Sequence, residues 1–213
     1  MATEDDAARR PMFAMICINN VNRSPAAHER LKSAGLRVCS FGAGRHVSVP
    51  SRSPTAPREF RFETPYRAMH EQLRREDEEL FSRNGVLAML ERDIATKDGP
   101  ERWQSLSSKQ LRQIDVVVCL DYQMYLVVLN DLSMRIHLSL KRKHLHLICL
   151  DVEDTPEDAR SGSQCALELC KLLDAAAAAD GAGADLSDAC VKEIIVDFEH
   201  RHNLQLFYVG VQI

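Results

Sequence analysis

Short apolar runs alternate with longer amphipathic stretches along the chain. Met12–Cys17 is an uninterrupted apolar run and predicts a buried strand. A turn over 18–23 follows. Ser24-Pro25 reads as an N-cap with proline at the first helical position, opening a helix to about Ala34, with Gly35 as the C′ residue. A second strand is predicted over 36–41. Strand, helix and strand over about thirty residues make a βαβ unit, which builds a parallel sheet with a right-handed crossover. Residues 42–62 collect prolines, glycines and serines and read as a loop. Thr64-Pro65 opens a charged helical region that breaks near Asn84-Gly85 and resumes to about Asp93. Strands are then predicted at 114–120 and 145–150, with a helix over 121–132 between them. Helices follow at 160–173 and 187–201, the latter capped by Ser187, before a last strand at 204–211. Segment 174–185, with its alanine run and GAGAD, is low in complexity and reads as a frayed helix end or a linker. No internal repeat is visible.

The pattern predicts a three-layer α/β fold. Its central sheet is mostly parallel, has about five strands and is flanked by helices, with a helical insertion between strands two and three. Residues 1–11 read as a flexible N-terminus and 12–213 as one domain, with the insertion at about 42–98.

Composition narrows the function classes. The chain has 213 residues, 45% hydrophobic and 27% charged, with a net charge of −4. That balance calls for neither nucleic acid nor an anionic membrane as a bulk partner. No apolar run approaches the roughly 20 residues of a membrane helix. The acidic start MATEDDAARRP lacks the apolar core of a signal peptide. The seven cysteines have no framework spacing, which suits a reduced cytosolic or nuclear compartment.

The informative chemistry sits in the turn after the first strand. It reads Cys17-Ile18-Asn19-Asn20-Val21-Asn22-Arg23-Ser24, or C-x5-R-S. A thiolate and an arginine at this spacing can wrap a tetrahedral anion. Backbone N–H groups of residues 18 to 23 would form an anion nest, and the following helix would add its positive end. The planar fork of Arg23 can hold two phosphate oxygens. The same field favours a Cys17 thiolate at neutral pH. Ser24 can donate to the Cys17 sulfur and stabilise it as a leaving group. Asn20 and Asn22 tolerate left-handed backbone and can pin a tight loop. The loop's place between an apolar strand and a helix is what lifts the motif above chance.

Thiolate attack on phosphorus also needs an acid for the departing oxygen. In open α/β sheets it belongs at the carboxyl end of another strand. The stretch Asp151-Val152-Glu153-Asp154-Thr155-Pro156 follows the fourth strand and offers Asp154 and Asp151.

These and further motifs resemble one family, the RNA polymerase II C-terminal-domain phosphatases of the suppressor-of-SUA type, a branch of the low-molecular-weight protein tyrosine phosphatase fold. The carriers are CINNVNRS followed by AAH, SFGAGRHV at 40–47, ELFSRNGVLAML at 79–90, PERWQ at 100–104, DVED with EDA at 151–159, and LELC at 167–170. The resemblance covers about Phe13 to Tyr208. It implies Cys17 as nucleophile, Arg23 as phosphate clamp, Asp154 as general acid and Asp151 as a supporting carboxylate. Residues 18–24 would bind the phosphate, and no cofactor is implied. Phosphoserine before proline in the polymerase tail would be the substrate, in the cis form. The cleavage and polyadenylation machinery, including a symplekin-like scaffold, would be the partner, with no direct nucleic-acid contact. The nucleus would be the location, with the cytoplasm second. The loop departs from the family's usual CSSNQNRS at Ile18, Asn19 and Val21, and Leu120-Asp121-Tyr122-Gln123 departs from the usual Cys-Glu-Glu. Arg23-Ser24-Pro25 is nearer to tyrosine phosphatases, the alternative enzyme reading. A non-catalytic phosphopeptide-binding scaffold subunit is the alternative outside enzymes.

Other residues read as structural. Cys165 and Cys170 lie five apart on a helix and read as core thiols. His144 and His146 have no carboxylate neighbour in sequence, so no metal site is expected there. Lys141-Arg142-Lys143 reads as a solvated turn. Leu87, Met89 and Leu90 read as core.

Overall fold

The computed structural model describes residues 10–53, 55–135, 143–179 and 186–213. In chain order, β1 (Met12–Cys17), α1 (Arg23–Ser33) and β2 (Arg37–Gly42) form the opening βαβ unit. Then come β3 (Val47–Val49), β4 (Arg58–Phe60), α2 (Tyr66–Arg83), α3 (Val86–Thr96), a 3-10 turn at Trp103–Ser105 and α4 (Ser108–Leu111). The chain returns with β5 (Val116–Cys119), α5 (Tyr122–Arg135), β6 (His144–Cys149), α6 (Pro156–Ala179), α7 (Asp188–His202) and β7 (Phe207–Gln212). The sheet order is β2-β1-β5-β6-β7. All neighbours are parallel except β6 and β7, which are antiparallel.

Burial explains why the strands read so cleanly. Every residue of β5 is buried, as are five of the six in β1 and in β6. Strands covered on both faces lose the polar alternation of a half-exposed strand. On one face Phe13, Met15, Val116, Val118 and Ile148 pack against α1, α6 and α7 through residues such as Leu31, Leu169 and Phe198. On the other face Ala14, Ile16, Val117 and Leu147 meet Trp103 and, from α5, Val128 and Leu132. The insertion builds a third cluster from Val47, Val49, Phe60, Tyr66, Met69, Leu73 and Leu90, and Val21 of the C-x5-R loop belongs to it.

The elements depart from expectation in three places. Residues 42–62 hold an antiparallel hairpin, β3–β4, where the composition predicts a loop. Its strands are three residues each, too short for a periodicity signal. The short α4 escapes the sequence pattern, although Ser107 and Gln110 complete a capping box. The helix expected over 160–173 spans Pro156–Ala179: Thr155 caps it by accepting from the Asp158 N–H, and alanine, the best helix former, carries it on. Residues 180–185 of the low-complexity segment, residues 1–9, and Lys141 and Arg142 lie outside the described residues. Arg10 is held by Asp174, and Lys143 pairs with Asp115 at 2.8 Å. Cys170 is buried and Cys165 half-buried, as expected of core thiols. Among the described residues, no helix is long and apolar enough to cross a membrane.

This topology fixes where chemistry can occur. From β1 the chain steps outward to β2, then crosses back to β5 on the other side of β1. The order reverses there, and the crevice at the carboxyl ends of β1 and β5 is where such sheets bind ligands. Cys17 is the last residue of β1.

Candidate active site

Cys17 ends its strand with 2% of its surface exposed. The loop then turns back on it. Asn20 takes left-handed backbone (φ 54°), and its N–H donates to Cys17 Sγ at 3.3 Å. That conformation is one that asparagine tolerates. Ser24 Oγ lies 3.0 Å from the same sulfur.

Ser24 corrects one expectation. It does not cap α1. The helix begins at Arg23, with Asn22 at the N-cap and Pro25 inside the first turn. The Ser24 hydroxyl is engaged by Cys17 Sγ and by the Asn20 amide instead. The Asn22 side chain does not cap either, because its amide donates to Asp154 Oδ1 at 2.9 Å and to the Thr155 carbonyl at 3.2 Å. Gly35 follows the helix at φ 78°, as expected.

A buried polar chain runs behind the loop. The Asn20 amide donates to both Ser24 Oγ (3.0 Å) and Ser40 Oγ (3.2 Å), and Ser40 Oγ meets His28 Nδ1 at 2.9 Å. Burial, with Lys97 and Lys32 nearby, pushes the His28 imidazole down to about 4. His28 is therefore neutral when Cys17 works. The Asn20 carboxamide oxygen accepts from the Glu101 N–H at 3.0 Å, and the Tyr66 hydroxyl donates to the Asn20 carbonyl.

The residues that depart from the family's usual loop have structural roles. Val21 is 1% exposed and packs into the insertion's core. Asn19 pairs with Ser48 like a strand neighbour, donating to its carbonyl (3.0 Å) and accepting from its N–H (3.2 Å). Ile18 sits against the end of β2: its carbonyl accepts from the Gly44 N–H at 2.9 Å. A Cβ on Gly44 or on Gly42 would stand 2.8 Å from that carbonyl, so the SFGAGRHV motif needs glycine at both positions. The loop is thus tied to the hairpin and the insertion by side chains of its own.

Arg23 is 4% exposed. Its Nη1 donates to the Leu120 carbonyl (3.0 Å) and the Val152 carbonyl (2.6 Å), and its Nη2 to Asp121 Oδ2 (3.0 Å). The ends of β5 and β6 therefore fix the guanidinium plane. Arg23 Nε stands 3.4 Å from Asp154 Oδ1. Cys17, Arg23, Ser24 and Asp154 thus converge at one end of the sheet. Asp154 is 43% exposed in its side chain, open enough to exchange a proton with solvent. Asp151 sits elsewhere on this rim, accepting from the Tyr122 N–H at the start of α5 at 3.0 Å.

Sequence reasoning missed two participants. Asp121 pairs with Arg23; its position just after a strand of the sheet was the available signal. Arg92, on α3, donates through Nη2 to the carbonyls of Val21 (2.8 Å) and Asn22 (3.1 Å). It is held by Asp93, whose Oδ1 accepts from Arg92 Nη2 at 2.6 Å. Asp93 is fully buried, and burial pushes its carboxyl up to about 8. No local pattern marks Arg92, because it reaches the loop across seventy residues. Of the expected core trio, Leu87 and Leu90 are buried and Met89 is partly so. Met89 also lines a cleft of about 560 Å³ with Asn22, Ala26, Arg30, Arg92 and Arg160, beside the loop.

A family model described as Ssu72-like protein matches residues 11–212. The chain belongs to this Ssu72-like family. A relative from Dictyostelium discoideum, the RNA polymerase II C-terminal domain phosphatase SSU72, is 38% identical over 163 residues, covering 76% of this chain and 75% of the relative. Its counterpart of the same name from Danio rerio is also 38% identical, over 75% of this chain and 79% of the relative. A crystal structure of the Drosophila melanogaster serine phosphatase of the RNA polymerase II CTD superposes with a TM-score of 0.84 at 27% identity, covering 95% of this chain and 99% of that one. A D. melanogaster Ssu72 structure with symplekin, bound to a cis peptidomimetic CTD peptide with phosphoserine at position five, superposes with a TM-score of 0.82 at 26% identity, over 95% of this chain and 98% of that one. The mostly parallel α/β fold expected from the pattern is the fold of this family.

Proposed function

We propose that the chain is a cysteine-dependent phosphatase that removes phosphate from phosphoserine followed by proline in the C-terminal heptads of RNA polymerase II. The observation that carries this reading is Ser24 Oγ at 3.0 Å from Cys17 Sγ, with Arg23 and Asp154 on the same rim. The names of the relatives support the substrate, and the peptide bound to the Drosophila relative supports the fifth heptad position and the cis proline.

The Cys17 thiolate attacks phosphorus in line with the serine oxygen. A P–S bond forms as the P–O bond breaks, and Asp154 gives its proton to the departing alkoxide. Arg23 and the N–H groups of 18–24 balance the charge on the three equatorial oxygens. Water then attacks the phosphocysteine. Asp154, now a carboxylate, takes the water's proton, and the sulfur leaves as a thiolate stabilised by Ser24. The chemistry needs no cofactor.

A symplekin-like scaffold is the partner this reading favours, in line with the Drosophila complex, and through it the 3′-end processing machinery. The site of action is then the nucleus. The test is phosphate release from heptad peptides phosphorylated singly at each serine, with a phosphotyrosine peptide beside them. Preference for phosphoserine at position five supports the reading; preference for phosphotyrosine replaces it with a tyrosine phosphatase.

A further inference from the structure

At the end of the sheet remote from Cys17, β6 opens with His144-Leu145-His146. Alternate residues of a strand share a face, so both imidazoles project toward the layer that holds α6 and α7. Their antiparallel partners on β7 are Gln212 and Gly210. The carboxylate that sequence proximity did not supply comes from 44 residues away: Asp188, the first residue of α7, brings Oδ1 to 2.7 Å from His144 Nε2 and 3.6 Å from His146 Nδ1. One ligand atom from each of the three residues falls within 4.8 Å of the other two.

We propose that His144, His146 and Asp188 form a binding site for a borderline-soft divalent cation, zinc foremost, that clips β6, α7 and β7 together. Two imidazoles and one carboxylate suit zinc, and at bond lengths near 2.0–2.1 Å tetrahedral donors stand about 3.3 Å apart. The distances of 2.7 and 3.6 Å bracket that value, so seating the ion needs only a small opening of the His144–Asp188 contact.

Two further observations point the same way. Metal-bound histidines are oriented by an acceptor on the other ring nitrogen. His146 Nε2 already meets the Leu186 carbonyl at 2.9 Å, which leaves the Nδ1 lone pair to face the ion. His144 Nδ1 lies 2.8 Å from the Gln212 amide group, which by presenting its oxygen would accept the Nδ1 proton and free Nε2 for the ion. The imidazole proton moves from one nitrogen to the other, and no proton is lost. Gly210 supplies the room. A Cβ there would collide with Asp188 Oδ1 and stand 2.8 Å from His144 Cε1. The Tyr208 hydroxyl, 2.9 Å from His146 Nδ1 and also bonded to Asp188, or a water, is the neighbour for the fourth position.

Cobalt(II) and zinc titrations of the untagged full chain test this. Cobalt is expected to bind at one ion per chain, with the visible bands of a tetrahedral nitrogen and oxygen site and no sulfur-to-cobalt charge transfer. Zinc should displace it and raise the melting temperature. His144→Gln and Asp188→Asn should abolish this uptake, and Gln212→Met, which spares every ligand, should weaken it about 10–100-fold. Phosphatase activity of each variant reports that it is folded, since these residues lie at the opposite end from Cys17. Absence of saturable uptake would overturn the proposal and leave a hydrogen-bonded clip. So would a charge-transfer band that persists in His144→Gln, because the ion would then sit on cysteines. Loss of the polymerase-tail preference with cobalt uptake intact would overturn the proposed function alone.

Discussion

The amide of Asn22 donates to Asp154 Oδ1 at 2.9 Å, bridging the phosphate loop to the loop after β6. Asn22 ends the one loop and Asp154 precedes α6. The general-acid candidate is therefore positioned by the loop that would hold the phosphate.

That relation separates Asp154 from Asp151. Asp154→Asn should slow phosphoserine peptides by ~10²–10⁴-fold while costing p-nitrophenyl phosphate far less, because nitrophenolate leaves without a proton. Asp151→Asn keeps an oxygen that can accept from the Tyr122 N–H and should lose little turnover on either substrate. Equal losses on both substrates for Asp154→Asn would assign it a structural role, and a larger selective loss at Asp151 would transfer the acid role there.

Cys17→Ser should abolish turnover yet bind vanadate, since serine keeps the loop but is not ionised at neutral pH. Ser24→Ala is the more revealing variant. Ser24 Oγ faces the sulfur at 3.0 Å, and the hydroxyl matters most when sulfur leaves. The second step should slow ~10–100-fold, the worth of a hydrogen bond to a charged group. Rapid quench should then trap phosphocysteine as a burst. A slowed first step with no trapped intermediate would deny Ser24 this role.

Arg92 acts through the loop backbone. Arg92→Met frees the carbonyls of Val21 and Asn22 and leaves the buried Asp93 without its partner. The expected outcome is a lower kcat and weaker vanadate binding, together with a loss of stability. Arg92→Lys should recover one carbonyl contact and part of the kcat. Loss of stability with unchanged kcat would confine Arg92 to a structural role.

His28 carries a pH signature. Its folded value is near 4, below the ordinary value of 6.5. Between these two, the unfolded chain takes up a proton that the folded chain refuses. The contribution is complete above pH 6.5 and is lost as pH falls toward 4, at no more than about 1.4 kcal/mol per unit. His28→Asn places an amide near the Nδ1 position, keeps the Ser40 contact and cannot titrate. Denaturant midpoints of the two proteins should converge at acid pH and separate above 6.5. Parallel curves would show that His28 titrates normally.

The site was legible where its parts are local. Cys17, Arg23 and Ser24 lie within eight residues, and the strand and helix flanking them carry strong patterns. Asp154 was legible through topology, because the carboxyl ends of neighbouring strands must converge. Asp121 carried that same signal at the end of β5 and went unread, whereas Arg92 and Asp188 were not legible, since each meets its partner across a long stretch of sequence. The role of Ser24 was half-read: Ser-Pro is a genuine cap signal, but the thiol outcompetes the helix for the hydroxyl. Thr155-Pro156 carried the same signal truthfully, and α6 starts there.

The cis-proline preference proposed above has a kinetic consequence that no mutation is needed to see. The hairpin β3–β4 and the helices α2 and α3 pack onto the phosphate loop through Val21, Asn19 and Arg92, so the insertion stands directly beside the site. A wall there admits a peptide that doubles back at its proline more readily than an extended one. Cis X–Pro makes up roughly 10–30% of an unfolded peptide. It exchanges with trans over tens of seconds. Excess enzyme should therefore release phosphate in a fast phase whose amplitude equals the cis fraction. A slow phase should follow at the isomerisation rate, independent of enzyme concentration. A prolyl isomerase should merge the two phases. Replacing the proline by alanine should remove the slow phase and most of the turnover. Single-phase release that is insensitive to isomerase would show that the groove accepts both isomers, and the wall formed by the insertion would then have no part in selecting substrate.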